Sequence, residues 1–190
     1  MPDPNEFLRD DPALAPHVEE HGPVELSPHP DPFERLVTAI VNQQLSGASA
    51  AAIHDRLTER FELTPETLLA ADEAALRETG LSSSKVDYVR SVAEAAREGR
   101  LAHDRFAGLS DDEAIDALTE IRGVGVWTAK MFLLFVLARE DVFPVEDLGI
   151  RRAMEALFGD DVSREWMVER AGQWAPYRSY ASRYLWRIVD

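Results

Sequence analysis

The stretch "IRGVGVWTAKMF", Ile121 to Phe132, decides the fold. It sets Gly123 and Gly125, and then Trp127, between two segments that both read as helix. Upstream, Ser110 and Glu113 have capping-box spacing and open a helix through Ala114, Ile115, Leu118 and Ile121. Downstream, "WTAKMFLLFVLA" is apolar nearly all round, which predicts a buried central helix. Three readings of Gly-Val-Gly compete. "GVGVWTA", with Asp147 further along, approximates a dinucleotide-binding glycine loop. That fingerprint needs a preceding strand in a βαβ unit, and here the preceding segment is capped and helical. A plain helix-helix turn explains the glycines, through positive φ and close backbone approach, but not Trp127, Thr128 and an Asp-bearing loop at these spacings. A helix-hairpin-helix explains more: the glycines bare N–H groups beside a helix N-terminus, whose partial positive charge suits a phosphate oxygen.

Working outward, the chain is a succession of helix signals with no alternating strand. Phe33, Leu36, Val37, Ile40 and Val41 recur as one buried face. "SGASAAAIHDRLTERF" continues as an Ala-rich helix ending near Phe61. Thr64 with Pro65, then Asp72, open short helices, and Ser83 or Ser84 opens a longer one that Gly99 ends. Asp147 is placed to cap a helix from Leu148 to about Phe158, Ser163 caps another, and Pro176 restarts a last one through Trp186. Residues 1–33 hold eight of the eleven prolines and read as an irregular lead-in with one short helix around Glu6 to Leu14. The expected fold is all-α, about ten short helices.

The 190 residues suffice for one domain or two small lobes. No cysteine is present, which excludes disulfides, zinc-thiolate sites and an iron-sulfur cluster. No apolar run reaches bilayer length, and the acidic, Pro-rich start is unlike a signal peptide, so a soluble cytoplasmic protein without membrane contact is expected. The net charge of −15, from 35 acidic and 20 basic residues, argues on its face against a nucleic-acid partner. Abundant acid with only two lysines, Lys85 and Lys130, instead resembles halophilic proteins. In molar salt the Debye length falls to about 3 Å, so net charge loses its reach.

The segment "LTEIRGVGVWTAKMFLLFVLAREDVFPVEDLGIRRA" resembles the hairpin and catalytic loop of helix-hairpin-helix DNA glycosylases, in particular the DNA-3-methyladenine glycosylases of alkylation repair. "PFERLVTAIVNQQLSGASAAAI" is similar to that branch's early helix, and "WAPYRSYASRYLWR" to its C-terminal aromatic segment. The resemblance implies a two-lobed domain over residues 1–190, one lobe about 36–137 and the other 1–35 plus 138–190, with the active site in the interlobe cleft. It implies a nucleoid-associated monomer that binds double-stranded DNA containing damaged bases, flips an alkylated purine such as 3-methyladenine, and hydrolyses its N-glycosidic bond. The fuller relatives carry a further N-terminal β-rich domain, and the resemblance leads us to expect a minimal form without it over these 190 residues.

Residue by residue, Asp147 in "PVEDLGI" matches the catalytic aspartate, whose carboxylate would stabilise the sugar cation and orient water. Capping the following helix is the compatible structural role. Trp127 and Trp186 match base-pocket tryptophans, and Met131, one turn after Trp127, is expected to line the pocket. Trp127 also stands where bifunctional relatives carry a nucleophilic lysine, which implies base release without strand cleavage. Gly123, Gly125 and Thr128 would donate to the DNA backbone. The carbonyls of Thr119, Ile121 and Val124 would hold Na⁺ or K⁺; no cofactor is needed for the chemistry. Gln43, Gln44 and Leu45 fall where relatives insert a wedge into the gap left by the flipped base, and the sequence leaves open which of them does so.

Two rival functions remain, a non-catalytic DNA-binding module and a glycosylase for a neutral lesion or mismatch. An acidic interaction protein with no DNA role is a weaker third. "HVEEH", His17 to His21, fits a zinc-protease pattern, but it lies between Pro16 and Pro23 in the irregular lead-in with no downstream ligand motif, and is read as a chance match.

Overall fold

The computed structural model describes residues 2–45 and 47–189. Among them are twelve α-helices and two 3₁₀ turns, and no strand. The chain divides into two compact units, Met1–Pro28 with Leu133–Asp190, and His29–Phe132.

In the 29–132 unit, α3 (Pro32–Asn42) starts on the Asp31 cap and buries Phe33, Leu36, Val37, Ile40 and Val41, the face that the periodicity picks out. α4 (Gly47–Arg60) follows, and then α5 (Pro65–Ala70) and α6 (Glu73–Glu78), capped by Thr64 and Asp72. α7 (Ser83–Arg97) packs on α3, α5 and α6. Its cap is Ser82, one residue before the expected start, because the Ser82 hydroxyl accepts the Lys85 N–H. α8 (Asp111–Thr119) has the capping box formed by Ser110 and Glu113. It stops two residues short of the expected Ile121, where the chain turns into the glycines.

α9 (Val126–Phe135) buries Ala129, Phe132, Leu133 and Leu134. It ends before the expected Ala138. That alanine takes a left-handed φ of 51°, and the Arg139 N–H returns to the Leu133 carbonyl (2.9 Å), a closure usually built with glycine. The division between the units falls within this helix.

In the other unit, α10 (Leu148–Phe158), α11 (Arg164–Ala171) and α12 (Arg178–Val189) start near Asp147, Ser163 and Pro176. Ile150, Met154, Met167, Trp174, Tyr184 and Leu185 form its core with Leu8, Leu14 and Val18. Residues 1–33 correct the expectation of an irregular lead-in. They hold α1 (Pro4–Arg9), α2 (Ala15–His21) and the start of α3. Pro4, Pro16 and Pro32 each lie in a first helical turn, where a missing N–H costs nothing and a fixed φ helps, so these prolines begin helices. No helix among the described residues is long and apolar enough to cross a membrane.

Candidate active site

The site residues group on two parts of the chain. In the 133–190 unit, Asp147 is the N-cap of α10 in extended geometry. Its Oδ1 accepts two N–H donors, the Ile150 backbone (3.0 Å) and the Trp186 indole (2.8 Å). The loop before it is fixed by Asp147 N–H to the Pro144 carbonyl (2.9 Å) and by Arg151, whose guanidinium donates to the carbonyls of Val145 and Glu146. Trp186 stacks on Phe135, centroids 5.5 Å apart at 25°. Its N–H is therefore committed to the carboxylate and a ring face to Phe135. Gly149 completes the group: a Cβ there would stand 3.1 Å from both Asp147 Oδ1 and Trp186 Cδ1. This glycine makes room for the Asp147–Trp186 bond.

In the 29–132 unit, Gly123 has φ +92°, and a Cβ on it would fall 2.3 Å from the Tyr88 ring, so only glycine fits. Gly125 differs. Its φ is ordinary, nothing lies within 4 Å of a Cβ position, and the residue is exposed at the start of α9. Its carbonyl accepts the Ala129 N–H (2.9 Å), a bond that opens α9. Thr128 is turned inward. It is 1% exposed, and its hydroxyl accepts from Gln43 Nε2 (2.9 Å), so what it can offer an anion is its backbone N–H. Trp127 is half-buried in the first turn and Met131 is 7% exposed one turn later. The Ile121 carbonyl accepts the Val124 N–H (3.0 Å), and Thr119 closes α8. Glu120, the acid between them, is paired to Arg100 (3.4 Å).

The wedge candidates separate. Gln43 is a brace, its amide donating to both the Gly123 carbonyl (2.9 Å) and Thr128. Gln44 is exposed with a left-handed φ of 57°, a conformation that costs a non-glycine residue about 1 kcal/mol or more. Leu45 is 40% exposed. Ser46, the end of the Gln-Gln-Leu-Ser turn, lies outside the described residues. Beneath the turn, Lys85 Nζ donates to the carbonyls of Val41 (2.7 Å) and Gln43 (2.9 Å), closing the C-terminus of α3. Burial pulls its ammonium below the ordinary lysine value. Sequence reading missed Lys85, Tyr88 and Gly149. The one available signal was that Lys85 is one of only two lysines.

Residues 37–176 match the family described as HhH-GPD superfamily base excision DNA repair protein. DNA-3-methyladenine glycosylase 1 of Schizosaccharomyces pombe is 34% identical over 165 residues, 83% of this chain and 72% of that protein. DNA-3-methyladenine glycosylase 2 of Escherichia coli is 30% identical over 82% of this chain, which spans 57% of that longer protein. Among solved structures, the Schizosaccharomyces pombe 3-methyladenine DNA glycosylase in complex with abasic DNA aligns with a TM-score of 0.88 at 31% identity, covering 97% of this chain and 95% of that one. A DNA-3-methyladenine glycosidase from Bacillus halodurans aligns at 0.78 with 36% identity, over 98% and 88% of the two chains. The chain belongs to the HhH-GPD superfamily of base excision DNA repair proteins, on its DNA-3-methyladenine glycosylase branch.

Proposed function

We infer that this protein is a DNA glycosylase that hydrolyses the N-glycosidic bond of alkylated purines such as 3-methyladenine and leaves an abasic site without cutting the strand. The observation that carries the reading is Asp147, an aspartate whose Oδ1 is held by Ile150 N–H and Trp186 Nε1–H at a helix start, within a chain of this family. An alkylated purine is already cationic and leaves readily, so no general acid is required. What the reaction needs is a fixed negative charge as the sugar becomes an oxocarbenium ion, and a positioned water. Two N–H donors fix the Asp147 carboxylate before the reaction begins, so little reorganisation remains to oppose that stabilisation.

The hairpin supports the DNA grip. Gly125 is not demanded by φ or by crowding, and its modest merit as a helix cap is a weaker explanation than the open space it leaves for a phosphate at the start of α9. Gly123, Gly125 and Thr128 would donate backbone N–H groups to phosphate. The Thr119, Ile121 and Val124 carbonyls suit an alkali cation, since Glu120 is drawn off to Arg100. Gln44 and Leu45 form the wedge, with Gln43 and Lys85 holding their turn. Trp127 and Met131 line the base pocket; for Trp186, holding Asp147 is the better supported role. Trp127 has no amine, and Lys85 is engaged by carbonyls, which supports base release without Schiff-base cleavage.

The test incubates methylated duplex DNA with wild type and Asp147→Asn and identifies released bases by chromatography. Asparagine caps helices as well as aspartate does, so folding and DNA binding should persist while base release falls by roughly 10²-fold or more. Wild-type release by Asp147→Asn removes the assignment, and strand cuts without added base or lyase would contradict the monofunctional reading.

A further inference from the structure

The base-excision chemistry leaves "HVEEH", His17 to His21, unused. It forms the body of α2, and helical spacing sets His17, Glu20 and His21 on one face. One potential ligand atom from each lies within 4.8 Å of the other two. The two imidazoles are nearly parallel, 13° apart, with centroids separated by 6.4 Å. His21 Nε2 lies 3.9 Å from Glu20 Oε2. His17 Nδ1 is buried and meets no hydrogen-bond partner, a condition that folded proteins rarely leave unexplained. Val18 is fully buried and anchors the helix, while both histidines remain half-exposed.

We propose that His17, Glu20 and His21 bind one divalent transition-metal ion of the zinc, nickel or copper type. The donor set decides the class. Two imidazoles and a carboxylate suit these ions, whereas calcium and magnesium take oxygen ligands almost throughout. Tetrahedral bonds of about 2.0–2.1 Å place ligand atoms roughly 3.3 Å apart. Side-chain rotation covers the remaining distance with the backbone fixed, because positions i and i+4 are already neighbours on a helix. Glu20, the base of the protease pattern, serves here as a ligand, and the fourth tetrahedral position falls to water. α2 has seven residues, too few to hold a helix by propensity alone. α12 secures its end: Arg187 donates to the His21 carbonyl (3.3 Å) and the Tyr184 hydroxyl to the Gly22 carbonyl (3.0 Å). A metal clip across His17 and His21 would stiffen α2 and, through those bonds, the helix that carries Trp186.

The test titrates the full chain with Zn²⁺ by calorimetry and with Co²⁺ by visible absorption. One ion should bind per chain, with the spectrum of nitrogen and oxygen ligation, and saturating Zn²⁺ should raise the unfolding midpoint by roughly 3–8 °C. Loss of an outer-shell partner weakens metal sites by about 10–100-fold, so His17→Ala and His21→Ala should each cost at least that. Glu20→Gln should cost less, and His103→Ala, at an exposed position, nothing. Unchanged affinity in the variant carrying both His17→Ala and His21→Ala overturns the proposal. Should the alanine variants not fold, histidine-ring NMR of wild type decides. Zn²⁺ must then shift the rings of His17 and His21 among the five histidines, and shifts confined to His29, His54 or His103 overturn the site equally. None of these readouts involves DNA, so their failure would leave the glycosylase reading standing.

Discussion

At the scale of single residues, Gly149 offers a test in which stability and activity move in opposite directions. Alanine is the better helix former by about 0.5–1 kcal/mol, which favours Gly149→Ala in the first turn of α10. Its methyl, however, would press on Asp147 Oδ1 and Trp186 Cδ1 at 3.1 Å. A shift of a few tenths of an ångström relieves the contact and misplaces the carboxylate. We expect Gly149→Ala to hold or slightly raise the melting temperature while lowering kcat for base release by about tenfold, read from single-turnover kinetics beside thermal melts. The residues legible in the sequence, Asp147 and Gly123, obey local rules: a cap before a helix and a turn between two helices. Lys85 and Gly149 were not legible, because their roles depend on partners remote in sequence. Lys85 reaches Gln43 across 42 positions, and the Trp186 indole that bears on Gly149 meets Asp147 across 39. Gln43, a wedge candidate by the family resemblance, likewise shows its bracing contacts only with residues 80 and 85 positions away.

Among elements, helices α3 to α12 were readable from caps and apolar spacing; α1 overlaps the short helix expected around Glu6 to Leu14 but starts earlier, at Pro4, and α2 was hidden by proline count. Counting prolines suggests disorder; their position in first turns specifies helix starts. The joint between α3 and α7 rests on Lys85. Replacing it with methionine keeps the buried stem and removes two charge-assisted bonds to the Val41 and Gln43 carbonyls. Lys85→Met should destabilise by roughly 1–3 kcal/mol in urea melts and lower base release from intact duplex more than from a mismatched lesion pair, where flipping is easier. Asp11 forms the corresponding joint between the N-terminal helices and α11. It accepts from Arg170 (2.6 Å) and from the Trp174 indole (2.8 Å), with both ion-pair side chains nearly buried. Burial pushes its carboxyl up, but bonds from Arg170, Trp174 and Ala13 outweigh this and hold it below the ordinary 3.8. The stabilisation is therefore complete above that value and is lost as pH falls through the lower folded one. Asp11→Asn should cost about 2–4 kcal/mol at pH 7, and the urea-melt stabilities of variant and wild type should converge in stronger acid.

For the whole molecule, the proposed hairpin grip would reconcile a charge of −15 with a DNA partner. Amides and helix dipoles displace few counterions. Fluorescence anisotropy with abasic-site duplex should therefore give a salt slope much shallower than the roughly −5 to −9 of six to ten lysine or arginine contacts, with activity persisting into molar salt. A steep loss of binding would assign the grip to arginines instead. The double use of one oxygen on Asp147 has a practical corollary for mutational surveys. An alanine scan scored by cellular abundance would register a lost α10 cap and class this position with the scaffold, while the loss of base release proposed for Asp147 went unseen. Only the amide isostere, which keeps the shape and discards the charge, tells a folding defect from a chemical one.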